Sequence, residues 1–227
     1  MDLTKRLSAL DRIYAIYNEF AATLDLACRK TCADCCTSHV TLTTLEGYRL
    51  LSRLPLTLKA TLLKAIPTEP DADRFRPAIT TNQLAELCAN GIEASDEADT
   101  DTGKVCALLV DRLCSIYEFR PFGCRCLVSR HNCGEKGHAE IDDFVLSVNT
   151  VLLQTLEHVD AGGCTGNLVD VLRVLLCAAN WTAYENGSLS CKNNAVISNH
   201  PLSVLMIPPE HRTRMEPILK KLRQIKC

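Results

Sequence analysis

Cysteine is the residue type in this chain best able to do chemistry, because nine of its fourteen cysteines lie in two short stretches. The first stretch reads CRKTCADCC and contains Cys28, Cys32, Cys35 and Cys36. The second lies downstream and contains Cys106, Cys114, Cys124, Cys126 and Cys133. Thiolates at short spacing bind zinc or iron–sulfur clusters, or take part in disulfide and redox chemistry. We predict that these nine cysteines ligate a metal centre.

The spacing within the first stretch bears on the kind of metal. A zinc ion holds four tetrahedral ligands, and its sulfurs lie about 3.8 Å apart. On a continuous helix Cys28 and Cys35 would lie about 10 Å apart, which suits the wider iron–sulfur cluster better. An iron–sulfur cluster is therefore favoured, with zinc as the alternative. Cys28, Cys32 and Cys35 also have the spacing of the three cysteines in radical-SAM enzymes. Those enzymes are β/α barrels, however, and no alternating pattern of strands and helices follows these cysteines.

The second stretch contains an unusual run, CSIYEFRPFGCR, from Cys114 to Arg125. Together with CRKTCADCC, this run resembles the YkgJ-type cysteine-cluster family, which is described as a zinc- or iron-chelating domain. The resemblance covers roughly residues 25 to 135 and implies metal binding, but neither a particular metal nor a reaction. Ala107 stands where many relatives carry proline. The matching positions are Cys28, Cys32, Cys35, Cys36, Cys106, Cys114, Ile116, Tyr117, Glu118, Arg120, Pro121, Cys124 and Arg125.

Flagellin lysine methylases carry a similar cysteine motif, so a SAM-dependent iron–sulfur enzyme remains an alternative. The chain shows no glycine-rich loop of the kind that binds SAM or phosphate, which favours a metal-binding protein without enzymatic activity. Whether the protein is an enzyme stays open at this point.

The residues between the cysteines of the second stretch are expected to support the metal site. Pro121 restricts the backbone between two ligands. Arg120 and Arg125 place cations beside several thiolates, which lowers thiol pKa values and offsets the charge of the centre. We expect Glu118 to hold Arg120 in position and Tyr117 to pack against its neighbours.

Several predicted ligands carry weaker evidence. Cys36 directly follows another cysteine, and adjacent residues rarely bind one metal together, so it could serve a second metal or only support the residues that bind the first. Cys126 and Cys133 are additional thiols, and His131 is a candidate nitrogen ligand. His39 follows the first stretch closely enough to be considered too. Of the other cysteines, Cys88 and Cys177 are expected in the core, and Cys164, Cys191 and Cys227 are expected to be incidental.

Apolar periodicity predicts helices along most of the chain. An apolar stripe through Leu10, Tyr14 and Tyr17 predicts a helix over residues 3–28. If this helix continued, the first cysteines would stay on its buried face, and the helix would end before residue 40. Helices are also predicted after two capping boxes, Thr43 with Glu46 and Thr80 with Gln83, the first of them stopping at Pro55. Further helices are predicted over residues 57–66, 141–159 and 167–185, and at the C-terminus up to Ile225.

The remaining segments predict loops and one small hairpin. Residues 67–79 are rich in proline and aspartate, and residues 92–104 are acidic and without apolar period. Residues 106–117 predict a β-hairpin that carries part of the second cysteine group. We therefore expect a mainly α fold: one domain over residues 1–227, with the cysteine motif at about 25–135 and a helical part at 141–227.

Composition limits the classes of function. The formal net charge is −2, which gives no electrostatic reason to expect nucleic acid or a membrane surface as partner. No secretory signal and no apolar run of about 18 residues is apparent, so we expect a cytoplasmic protein. A reducing cytoplasm also disfavours a third alternative, a secreted disulfide protein. The sequence thus predicts a cytoplasmic metal-binding protein that acts in electron transfer, redox chemistry or metal handling.

Overall fold

The computed structural model describes residues 2–66, 74–94, 104–191 and 195–225 of the 227-residue chain. These residues form a mainly α-helical fold, which confirms the predicted fold class. The helices among them are α1 Leu3–Ala21, α2 Thr44–Arg53, α3 Leu56–Ala65, α4 Thr81–Ala89, α5 Phe122–Arg125, α6 Cys133–Lys136, α7 Asp143–Val159, α8 Leu168–Leu176, α9 Ala178–Glu185 and α10 Arg212–Arg223. The strands are β1 Thr41–Thr43, β2 Leu109–Val110, β3 Leu113–Cys114, β4 Cys164–Asn167 and β5 Val196–Ser198.

Helix α1 presents the predicted apolar stripe to the core, but it is shorter than the sequence indicates. Leu10, Tyr14 and Tyr17 are buried. The helix ends at Ala21 rather than running on into the first cysteine stretch. Just beyond it, the Thr23 hydroxyl donates to the Phe20 carbonyl at 2.7 Å, a side-chain bond that competes with helical hydrogen bonding. The prediction that Cys28, Cys32 and Cys35 continue the helical stripe is therefore wrong, and these cysteines lie in a loop.

Two small antiparallel sheets connect the helices. In the larger one β4 lies between β1 and β5, with Thr41 opposite Asn167 and Cys164 opposite Ser198. The smaller one is the β2–β3 hairpin, at the position predicted for a hairpin. Its two turn residues, Asp111 and Arg112, have φ values of 48° and 60°. Positive φ at both positions is the conformation of the two-residue turns whose twist matches that of the strands.

Both predicted capping boxes are present. Thr43 and Glu46 cap the start of α2, and Thr80 and Gln83 cap the start of α4. The helix predicted over residues 167–185 is wrong in one respect, because Cys177 is extended (ψ 119°) and separates α8 from α9. The Asn180 side chain donates to the Val174 carbonyl at 3.0 Å and so satisfies one of the carbonyls left open at the end of α8.

The core forms where α1, α2, α7 and α8 meet. Helix α1 packs against α2 and α7, and α2 packs against α8. Leu10, Leu152 and Leu172 are fully buried there. One cluster of buried apolar residues includes members from both the first and the last of these helices, α1 and α10. Within the described ranges, no helix combines the length and the apolar character needed to span a membrane. Residues 67–73 and 95–103 of the two predicted loops lie outside the described part of the chain.

Candidate metal centre

Distant segments of the chain meet at one cavity of about 130 Å³. Seven of the nine predicted ligands line it: Cys28, Cys32, Cys35, Cys36, Cys106, Cys114 and Cys124. Tyr117, Arg120 and Arg125 also contribute to its wall. The structure therefore brings both cysteine stretches together, as the sequence predicts, although a loop and not α1 carries the first of them.

Tight turns and long-range contacts shape the first stretch. The Cys32 amide donates to the Arg29 carbonyl at 2.9 Å, and the Cys36 amide donates to the Ala33 carbonyl at 3.0 Å. Further back, the Ser129 amide donates to the Cys28 sulfur at 3.2 Å. This hydrogen bond favours the thiolate form, which is the form that binds metals, but burial outweighs it and raises the pKa of Cys28.

Backbone pairing places Cys106 beside the first stretch. The Cys106 amide donates to the Cys36 carbonyl at 2.9 Å, next to an antiparallel bridge between Thr37 and Val105. The hairpin then folds back so that Cys114 lies opposite Leu109. The Leu109 amide in turn donates to the Cys106 carbonyl at 3.0 Å. The hairpin thus returns the chain from Cys106 to Cys114 at the edge of the cavity.

Helix α5 carries Cys124 and is held in place by Glu46, a buried residue of α2. The Phe122 amide at the start of α5 donates to Glu46 Oε1 at 2.7 Å, and the Tyr14 hydroxyl donates to the same oxygen at 2.7 Å. A carboxylate at the start of a helix satisfies an amide that has no partner within the helix. Glu46 therefore connects α1 and α2 to the turn that bears Cys124.

Gly123 allows α5 to approach β1 closely. A Cβ atom at this position would lie 2.6 Å from the Thr41 carbonyl oxygen and 3.2 Å from the Val40 side chain. Only glycine fits between the cysteine turn and the strand without a shift of the backbone. The glycine that precedes Cys124 in CSIYEFRPFGCR therefore has a steric cause.

Two arginines organise the backbone of the same turn. The Arg120 guanidinium lies 3.5 Å from the centre of the Tyr117 ring, and its Nε donates to the Tyr117 carbonyl at 3.0 Å. Arg125 donates from Nε to the Arg120 carbonyl at 2.7 Å. Glu118 does not contact Arg120 as expected, but forms an exposed ion pair with Lys30 at 3.2 Å. Cation–π stacking and backbone contacts, rather than a carboxylate, hold Arg120 at the cavity.

The thiol pKa values differ from the expectation based on the arginines alone. Burial raises the pKa of both Cys114 and Cys124, and the nearby charge of Arg120 only partly opposes this effect. The pKa of Cys36 is lowered, and the main cause is a hydrogen bond that it accepts from the Cys35 thiol. The same hydrogen bond raises the pKa of Cys35. The surroundings of Cys36 thus favour its thiolate form.

Two predicted ligands lie outside the cavity wall. Cys126 is buried, its sulfur lies 3.6 Å from the Gly123 carbonyl, and burial raises its pKa to about 12. Cys133 is the first residue of α6, with its sulfur 3.9 Å from the His131 carbonyl. The His131 ring pairs with Glu140 at 2.8 Å instead of facing the cavity sulfurs. His39 packs near Phe75, with ring centres 6.0 Å apart.

The cysteines outside the two stretches depart from expectation. Cys88 and Cys177 are exposed, so their predicted place in the core is wrong. Cys164 and Cys191, expected to be incidental, form a disulfide across 27 residues of sequence. The sequence carries no local signal for this pairing, because it joins β4 to a segment beyond α9. Cys227 lies outside the described residues.

Several residues that shape the site were not found from the sequence. Glu46 was recognised as a helix cap and not as a partner of α5. Ser129 and Gly123 act through backbone proximity to residues far away along the chain. Only the glycine has a possible sequence signal, since it directly precedes a motif cysteine.

In the described ranges, no three Cys, His, Asp or Glu side chains are placed to hold a metal ion as they stand. Comparison with known proteins adds no assignment: no family model matches the chain, and no curated protein or solved structure is significantly similar to it. The resemblance to the YkgJ-type family therefore stays a prediction.

Proposed function

We propose that this protein holds a cysteine-ligated metal centre in the cavity, with an iron–sulfur cluster as the first candidate, and that it acts in electron transfer, redox sensing or metal handling. The observation that supports the proposal is the seven-thiol wall, which is assembled from parts of the chain as distant as Cys28 and Cys124. Zinc and cubane iron–sulfur clusters each take four thiolates, so the donor set fits either group.

The space inside the cavity, and not the spacing of cysteines on a helix, favours an iron–sulfur cluster over zinc. Because the first stretch is a loop, the distance expected between Cys28 and Cys35 on a helix does not apply. The thiols instead surround about 130 Å³ of space, which the iron and sulfide ions of a cluster would occupy. A single zinc ion would draw four sulfurs to about 2.3 Å from itself and would fill less of this space.

The chain's own residues have separable roles in such a site. The cysteines supply thiolates, and the Arg120 cation offsets part of their negative charge. Glu46 and Gly123 fix the turn that carries Cys124. A bound cluster would accept and release single electrons, whereas a bound zinc would cross-link the loop, the hairpin and α5.

Metal analysis of the anaerobically purified full-length chain tests the proposal. We expect a brown protein with a broad visible absorption band and comparable amounts of iron and acid-labile sulfide. The variants Cys114→Ser and Cys124→Ser should lose this absorption, because each removes a cavity thiol. Cys88→Ser and Cys177→Ser are matched controls that alter exposed thiols, and both should keep the full metal content.

The outcomes separate the identity of the metal from the existence of the cysteine site. A colourless protein with stoichiometric zinc would replace the cluster by zinc and retain the cysteine site. A protein that holds no metal, even after reconstitution with iron and sulfide or with zinc, would overturn the proposal. Equal metal loss in the control variants would also contradict it, since the cavity thiols would then have no special role.

A further inference from the structure

The cavity that the cysteines line opens to solvent along the first cysteine stretch. Cys28 on its wall is exposed, and so are the next two residues, Arg29 and Lys30. Leu127 on the same wall keeps 39% of its surface exposed, and Tyr117 is partly exposed. We call Arg29, Lys30, Tyr117 and Leu127 the mouth of the cavity. A centre held by the cavity thiols would lie close to the molecular surface at this mouth.

The charged side chains of the cavity wall all have the same sign. Arg29, Lys30, Arg120 and Arg125 line it, and among the described residues no aspartate or glutamate does. This wall is a local exception, because the whole chain has a formal net charge of −2. Arg125 faces the interior, with its guanidinium 4.7 Å from the centre of the buried Tyr14 ring. The other three cations lie at the mouth or beside it.

The Tyr117 ring holds two of these cations in place. The Lys30 ammonium lies 5.2 Å from the centre of this ring, and the Arg120 guanidinium lies 3.5 Å from it. Lys30 also pairs with Glu118, but this ion pair is mostly exposed and is screened by solvent. Within the described ranges, Arg29 has no ion-pair partner. Positive charge is thus positioned at the mouth before a partner arrives, which lowers the entropic cost of binding.

A bound cluster would leave little room for a further ligand inside the cavity. The cavity measures about 130 Å³, and the iron and sulfide ions would occupy that space. A molecule that exchanges electrons with the centre must then contact the protein from outside, at the mouth. Electron-transfer encounters between proteins use small interfaces. The mouth offers such an interface, with an apolar contact at Leu127 and cations at Arg29 and Lys30.

We propose that the mouth is the docking surface for an electron-transfer protein whose own surface is acidic. Opposite charges on the two surfaces steer the encounter and raise the association rate. One electron then passes between the centre and the redox group of the partner, so that one is oxidised as the other is reduced. A second copy of this chain does not fit, because the cations of two identical mouths would face each other. This inference rests on the proposed function and names the partner of the same centre.

Stopped-flow kinetics of the anaerobically purified full-length protein test the docking surface. The dithionite-reduced protein is mixed with two ferric acceptors, an acidic b-type cytochrome and a basic c-type cytochrome. With the acidic cytochrome, the second-order rate constant should fall about tenfold between about 0.01 M and about 0.15 M ionic strength, because the Debye length shrinks from about 30 Å to about 8 Å. With the basic cytochrome, the rate constant should rise or stay constant.

Charge reversal at the mouth gives a matched pair of variants. Arg29→Glu should slow the reaction with the acidic cytochrome about threefold at low ionic strength, and the effect should fade as salt is added. Lys220→Glu makes the same change in net charge at an exposed position of α10, outside the cavity wall, and should leave the rate constant nearly unchanged. Rates are expressed per reduced centre, so a partial loss of metal does not enter the comparison.

Chemical cross-linking of the protein as purified locates the contact without electron transfer. A carbodiimide condenses a lysine amine with a carboxylate of the acidic cytochrome, and an amide forms as the carbodiimide takes up the water that is lost. At low ionic strength Lys30 should be the main lysine joined to the cytochrome, because it lies at the mouth. Lys220 should react much less, and added salt should suppress the Lys30 product.

The possible results distinguish this inference from the proposed function. A protein that holds only zinc, or no metal, would transfer no electron and would overturn the inference together with the cluster. A reducible centre whose reaction with the acidic cytochrome does not slow with added salt would overturn the docking surface and keep the cluster. Equal effects of Arg29→Glu and Lys220→Glu, or cross-links spread evenly over the exposed lysines, would also overturn the docking surface alone.

Discussion

Glu46 shows at the scale of single residues how a side chain outside the cysteine motif can fix the position of a cysteine within it. Its carboxylate accepts hydrogen bonds from the Phe122 amide, the Tyr14 hydroxyl and the Thr43 amide, at 2.7, 2.7 and 3.0 Å. The residue is only 3% exposed, so water cannot replace a lost partner. Helix α5 and Cys124 therefore depend on one buried carboxylate in α2.

Replacing Glu46 by glutamine should loosen this connection. A glutamine side chain keeps one acceptor oxygen and turns an NH₂ group toward donors, which leaves a buried donor unsatisfied. We expect a loss of about 1–3 kcal/mol in the free energy of unfolding. Metal should also pass faster to a competing chelator, because the position of Cys124 becomes less fixed. Urea denaturation and the rate of chelator transfer measure the two effects.

Glu118→Gln is the matched control for Glu46→Gln. Glu118 lies in the cysteine motif itself, but its ion pair with Lys30 is mostly exposed, at 73% and 61%. Its replacement should change stability by less than about 1 kcal/mol and leave the rate of metal transfer unchanged. Faster metal loss in Glu118→Gln than in Glu46→Gln would contradict the assigned roles.

At the scale of elements, the contact between α5 and β1 determines where the cysteine turn lies. Gly123→Ala places a Cβ 2.6 Å from the Thr41 carbonyl, so the turn or the strand must move. Overpacking of this kind costs about 1–3 kcal/mol. We expect lower thermal stability and a lower metal content in the same variant, because the displaced turn carries Cys124.

Gly162→Ala is the control for Gly123→Ala. No atom lies within 4 Å of a Cβ built at Gly162. The change should be neutral or stabilise the protein by up to about 1 kcal/mol through the unfolded state. Differential scanning calorimetry and metal analysis compare the two variants. Equal melting temperatures would show that α5 can move away from β1 at no cost.

The elements that the sequence predicts are those with local causes. The capping boxes at Thr43 and Thr80 act within one helical turn, and both helices start there. The end of α1 at Ala21 has no glycine, asparagine or proline to mark it, and the loop beyond it is held by Ser129, about one hundred positions later along the chain. An apolar stripe alone therefore overestimates the length of α1.

The same distinction applies to the candidate site. Short spacings and the resemblance identified the cysteine stretches, and seven of the nine cysteines do line one cavity. The role of Glu46 and the disulfide between Cys164 and Cys191 both depend on tertiary contacts. No pattern within a single segment encodes them.

At the scale of the whole molecule, Asp160 connects elements from both ends of the chain. Its Oδ1 accepts hydrogen bonds from Arg6 at 3.1 Å and from the Tyr184 hydroxyl at 2.7 Å. Its Oδ2 accepts from the Thr44 hydroxyl at 2.7 Å and from the Leu45 amide at 2.9 Å. One carboxylate thus holds α1, the start of α2, the end of α7 and α9 together, away from the cysteine cavity.

The protonation of Asp160 should make stability depend on pH. Burial raises its pKa from 3.8 to about 6, although Thr44, Tyr184, Leu45 and Arg6 all act in the opposite direction. Between pH 3.8 and about pH 6, Asp160 therefore binds more protons in the folded state than in the unfolded state. The contribution of Asp160 to stability is therefore complete below pH 4 and falls as the pH rises through 6, by an amount on the order of 3 kcal/mol.

Asp160→Asn removes this titration together with part of the network. We expect the variant to be less stable than the wild type, and the difference in unfolding free energy to shrink as the pH rises from 4 to 7. Denaturant titrations followed by circular dichroism, at each pH, measure both curves. Because both proteins carry the same cysteines, any loss of a bound metal at low pH would affect both alike and would cancel in the difference. Asp25→Asn, at an exposed loop position, should give a curve parallel to the wild type. A constant difference between wild type and Asp160→Asn over this range would show that Asp160 is ionised throughout, with the Arg6 ion pair outweighing burial.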